Sequence, residues 1–136
     1  MRTRFVDTFN RSLYATSNEY NAHYFDHMRR ISHGKLDRVD ARSGIVHHMV
    51  MEANYLQELF ELVSPTKRFW ESFLEGVAEE HRAASGASEF EIYFHFMLLR
   101  YHPERVVVRE LCWKNVSSLC AARGGEDFVS NHWYAR

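Results

Sequence analysis

Apolar positions recur at helical spacing in four stretches of this chain and at strand-like spacing in three shorter ones. Ser17 or Asn18 can cap a helix from Glu19 to about Ser32, with Tyr20, Tyr24, Phe25, Met28 and Ile31 on its apolar face. A second helix is predicted from Glu52 to Val63, its inner face formed by Tyr55, Leu56, Leu59, Phe60 and Val63. Ser64-Pro65-Thr66 breaks it, and Thr66 can cap a third helix over Lys67–Arg82, with Phe69, Trp70, Phe73, Leu74 and Val77 on one side. The fourth helix, Glu89 to about Tyr101, is apolar nearly all round, which predicts burial, and it stops at His102-Pro103. Leu13–Thr16, Arg105–Trp113 and Asp127–Tyr134 read as strands. Between the first two helices, residues 32–43 read as a polar loop, and Ser43-Gly44 turns into an apolar segment that carries His47 and His48. The pattern is a mixed α/β or α+β class. Its strands are too few and too far apart to make a complete sheet, so they read as additions to a sheet whose other strands lie elsewhere.

The fourth helix draws attention through its first turn. Ser85-Gly86-Ala87 leads into Ser88 and Glu91, which stand in capping-box spacing, with Glu89 between them. Two acids at a helix N-terminus complement the dipole, and that is the plainer reading. The other is a loop that presents a carboxylate for chemistry from a buried helix.

Composition narrows the choices. The chain has 136 residues, enough for one domain with a real core, and its aromatic share of 15% is high. A formal net charge of −1 argues against a charge-driven nucleic-acid surface. Cys112 and Cys120 are too few for a disulfide framework or a cysteine zinc site; Cys112, on a predicted strand, reads as a buried thiol. The start, Met1 to Asn10, is mixed and charged and reads as no secretory signal, and no run is long enough to span a membrane. A cytoplasmic, reducing location is expected.

No glycine-rich phosphate loop, GxSxG or CxxC occurs. Candidates for chemistry are Glu89 and Glu91, His47 and His48, the late His132, the aromatics Trp113, Trp133 and Tyr134, and Asn115. Each also has a structural reading: a strand tryptophan usually belongs to a core, and on a strand only one of two adjacent histidines faces a given cleft. His23 and His27 have the four-residue spacing of a metal pair but no evident third ligand, so they read as structural. From residues alone, an enzyme and a binding module stand level.

A resemblance shifts that balance. Glu19-Tyr20, Tyr24-Phe25 and His27-Met28 are followed by Ser43-Gly44-Ile45-Val46-His47-His48-Met49 and Phe69-Trp70-Glu71. The motifs around Ser85–Phe94, Trp113-Lys114-Asn115 and Val129–Tyr134 come next. In this order they resemble the DUF6492 family of glycosyltransferase-like proteins, which is similar to GT-A glycosyltransferases. The resemblance implies a helix-rich, acceptor-side C-terminal part of a GT-A-like (Rossmann-like) domain. Its nucleotide-binding half and DxD motif have no counterpart here: Asp37 and Asp40 are too far apart, and Asp7 stands alone. It therefore implies one incomplete domain, as a truncated product, a fragment or one piece of a split protein completed by an upstream polypeptide, and as the alternative an inactive remnant or glycan-binding module. Its expected partners are a nucleotide sugar and a glycan acceptor. Glu89 would be the base that deprotonates the acceptor, with Glu91 as the cap partner of Ser88. His132 would be a metal or phosphate ligand for Mn²⁺ or Mg²⁺. His47, His48 and Asn115 would line the cleft, and Trp113 and Trp133 would stack on a sugar ring.

Overall fold

A computed structural model describes residues 4–46, 48–118 and 125–131. Among them the chain forms β1 (Ser12–Tyr14), α1 (Ala22–Ile31), α2 (Ala53–Val63), α3 (Phe69–Glu75), α4 (Glu89–Tyr101), β2 (Val106–Val108), β3 (Trp113–Val116) and β4 (Phe128–Asn131), with a 3₁₀ turn at Glu79–His81. This is a mixed α/β arrangement. Its strands make two small parallel sheets, β1 with β2 and β3 with β4. Leu13 stands opposite Val107, and Trp113 opposite Phe128.

The core forms around α4. Ile92, Tyr93, Phe94, Phe96 and Met97 are all essentially inaccessible, so this helix is enclosed on most sides as its all-round apolar sequence demands. It packs on α1, α2 and β2. Phe25 and Met28 of α1, Leu59 and Val63 of α2, and Tyr14 of β1 complete the core. Each such side chain contributes on the order of 2–3 kcal/mol when fully buried. Ser88 caps α4 through its hydroxyl, which accepts the Glu91 N–H at 3.3 Å.

Local boundaries depart from the periodicity where backbone groups are taken by distant partners. The first helix begins at Ala22, not Glu19, because Ser17 is bridged to Ser43 through both of its backbone groups (3.0 and 2.9 Å). Tyr20 is therefore off the apolar face and exposed, with the Arg38 guanidinium 4.8 Å from its ring centre. Phe60 is also exposed, stacked on Phe69 at 4.4 Å.

The third helix stops at Glu75 instead of running on to Arg82. There the Phe73 carbonyl accepts from His27 Nε2 at 2.8 Å, and the Gly76 carbonyl accepts from Arg30. The Val77 N–H turns back to Leu74. As a result Trp70 and Leu74 face outward, more than half exposed, and only Phe69 and Phe73 pack inward.

The long strand expected over Arg105–Trp113 is two strands with a break at residues 109–112. The Arg109 N–H still follows β1, donating to Tyr14 O at 2.8 Å. The Cys112 N–H is captured by the Asp127 carboxylate at 2.9 Å. Cys112 is consequently exposed rather than buried.

Candidate functional site

The parallel pairing of β3 with β4 creates one wall of an open cleft of about 640 Å³. Trp113, Lys114 and Asn115 of β3 line it, with Glu110 and Cys112 from the preceding loop. The opposite wall is the segment Thr16–Glu19, with Arg42 beside it. Trp113 is clamped at the edge: its ring stacks parallel on Phe128 at 5.4 Å, and its indole N–H points to Thr16 O at 3.5 Å. Phe128 also meets His48 edge-on at 4.4 Å, so His48 belongs to the aromatic cluster behind Trp113. Phe5 closes the other side of His48 at 5.5 Å.

The basic groups of the cleft are held by acids. The Arg42 guanidinium donates through two nitrogens to the Asp40 carboxylate, at 2.9 and 2.7 Å. This fork holds the Asp40 carboxyl at about 2, well below the usual range. Lys114 pairs with Glu126.

The wall that carries Arg42 is fastened from behind by α4. Glu91, almost fully buried, accepts the Ser43 hydroxyl at 2.6 Å on one oxygen and the Gly44 N–H at 3.1 Å on the other. His95, one turn further along, accepts the Val39 N–H on Nδ1 at 3.2 Å. A neutral His95 therefore carries its proton on Nε2, which faces Glu91 Oε2 at 3.5 Å. Burial raises the Glu91 pKa, but His95, Ser43 and Gly44 outweigh it, and the carboxyl titrates below its ordinary value.

The roles expected for the two acids of α4 separate along this geometry. Glu91 does not complete a capping box by reaching back to Ser88; it spans to the Ser43 turn. Glu89 is exposed at the helix start and is not in the cleft lining. The structure brings Trp113, Asn115 and, through Phe128, His48 together. His47, His132 and Trp133 lie outside the described residues. His23 and His27 diverge: His23 Nε2 bonds Ser85 O at 2.7 Å, and His27 is buried against Phe73. Asp37 and Asp40 each serve a nearby arginine, Arg29 and Arg42. Asp7 organises its own turn through Phe9 and Arg11.

Sequence reasoning missed Glu19, Arg42 and Glu110 as lining residues. They lie in loops without periodicity, and only the long-range strand pairing gathers them. The contacts of Glu91 and His95 had a visible signal: they are polar residues four apart in the otherwise apolar middle of α4. Among the described residues, no three histidine, cysteine, aspartate or glutamate side chains group as metal ligands. No described helix is long and apolar enough to cross a membrane.

Comparison with protein-family models, curated proteins and solved structures gave no match for this chain.

Proposed function

We propose that the cleft between Thr16–Glu19 and Glu110–Asn115 binds a saccharide, and that the chain is the acceptor-side region of a GT-A-like glycosyltransferase. The observation that carries this reading is the joint placement of Trp113 and Asn115 on one open cleft with two carboxylates, Glu19 and Glu110. An indole offers an apolar face to sugar C–H groups, while an amide and carboxylates suit vicinal hydroxyls. Inverting transfer also needs a carboxylate close to the acceptor hydroxyl. Glu110 and Glu19 stand on the cleft lining and take that role here in place of Glu89.

The resemblance in motif order supports the transferase side of the reading. Two-stranded parallel sheets support the idea of a sheet extended by further strands, since parallel strands are usually buried in larger sheets. No three candidate metal ligands group among the described residues, so Mn²⁺ or Mg²⁺ belongs, on this reading, with the acidic motif of the nucleotide-binding half. The nucleotide sugar belongs, on this reading, to a partner polypeptide that supplies the nucleotide-binding half. The second reading is a glycan-binding module that does not transfer sugar; the saccharide cleft is common to both.

Calorimetric titration with neutral oligosaccharides tests the shared part. Binding should be lost in Trp113→Ala and partly kept in Trp113→Phe, with both variants folded by circular dichroism. Failure of the unaltered chain to bind any saccharide overturns the proposal. Nucleotide-sugar hydrolysis separates the two readings: turnover with a supplied upstream half favours the transferase, and its absence favours the module.

A further inference from the structure

The charges around the cleft are not balanced. Its two bases are already matched, Arg42 by Asp40 and Lys114 by Glu126. Its two lining acids, Glu19 and Glu110, have no ion-pair or hydrogen-bond partner for their carboxylates among the described residues; Glu110 lies only within electrostatic reach of Arg42. Among the described residues, Glu19, Glu110, Asp40 and Glu126 therefore outnumber Arg42 and Lys114 in and directly behind the lining, beside an aromatic wall that itself favours cations.

Resting on the saccharide reading above, we infer that this cleft selects a sugar carrying an unmodified amino group and rejects anionic sugars and sugar diphosphates. An ammonium group gives Glu19 and Glu110 the counter-charge they lack, while the sugar ring lies along Trp113. A uronate or a diphosphate meets the same two carboxylates as repulsion, and the two cations of the described lining, Arg42 and Lys114, are already engaged. The cleft is thus an acceptor subsite by its charge and is unsuited to the diphosphate of a nucleotide-sugar donor.

The test compares hexasaccharides of glucosamine, glucose and galacturonic acid, together with uridine diphosphate, by calorimetry at low and high salt. The glucosamine oligomer should bind about tenfold more tightly than the glucose oligomer at low salt, with the difference shrinking as salt rises. Glu19→Gln and Glu110→Gln, at positions that are not buried, should remove most of that difference, weakening the glucosamine oligomer severalfold more than the glucose oligomer. Equal affinity for the amino and neutral oligomers overturns the charge inference and leaves the saccharide reading standing. Tighter binding of galacturonate or uridine diphosphate also overturns it. No binding of any oligosaccharide overturns the reading beneath it.

Discussion

The Glu91 carboxylate accepts the Ser43 hydroxyl at 2.6 Å across a separation of 48 residues, with both groups buried. This bond joins the central helix to the turn behind Arg42. The same turn is bridged to Ser17, so one buried acid fixes both strips of backbone that form a wall of the cleft. Glu91→Ala leaves the Ser43 hydroxyl and Gly44 N–H buried without an acceptor. The expected loss is about 3 kcal/mol of unfolding free energy, read from urea denaturation. Glu89→Ala, at an exposed site two residues earlier, should cost less than about 1 kcal/mol, chiefly through the helix dipole.

Acid should loosen the fold in two stages. His27 is buried, and desolvation lowers its pKa from 6.5, although its bond to Phe73 opposes the shift. Its unfolded form takes up a proton first as pH falls, so stability declines from below about pH 6.5. Glu91 is also lowered, from 4.5, and the stability it contributes is present above that value and is lost as pH falls through its folded pKa. Both slopes have the same sign. Chemical denaturation between pH 8 and pH 3 should show a monotonic fall, and His27→Gln should flatten the upper part of it.

Two glycines should respond for different reasons. A Cβ at Gly76 would stand 2.1 Å from Ile31 Cγ2 and 3.2 Å from His27 Nε2. Gly76→Ala thus forces α3 and α1 apart, and a loss of about 2–3 kcal/mol is expected. Gly34 meets nothing within 4 Å but has a φ of +77°. Gly34→Ala should cost about 1 kcal/mol through backbone strain alone. Thermal melts of the two variants, compared with the unaltered chain, check the order.

Cys112 offers a chemical probe of the cleft, since it lines the cleft and is exposed. In a Cys120→Ser background, native Cys112 should react with a thiol reagent at a rate close to that of the unfolded chain. Saturating saccharide should slow that reaction severalfold. Unchanged reactivity in the presence of a bound saccharide would place the ligand elsewhere.

The central helix was legible because its signals agree: a serine cap, an apolar surface on every side and a proline two residues past its end. The start of α1 and the end of α3 were not, because backbone groups of Ser17, Phe73 and Gly76 are claimed by residues far away in sequence. Hydrophobic spacing carries no trace of such claims. The site divides in the same way. Trp113 and Asn115 could be singled out as residue types, and they do share a cleft. Choosing between Glu89 and Glu91 required knowing which carboxylate turns inward. That depends on the Ser43 turn reaching α4, and capping-box spacing pointed Glu91 back to Ser88 instead. The exposure of Cys112 followed from a strand break imposed by Asp127, again a long-range event.

The most direct measurement is a backbone-amide NMR titration of the isotopically labelled chain with a glucosamine oligosaccharide. A saccharide seated in the Trp113 cleft should give shifts concentrated at Thr16–Glu19, Arg42 and Glu110–Asn115, with the amides of Phe73–Ala87, which line a separate open groove, still. Shifts centred on Phe73–Ala87, or none at saturating ligand, would contradict that placement.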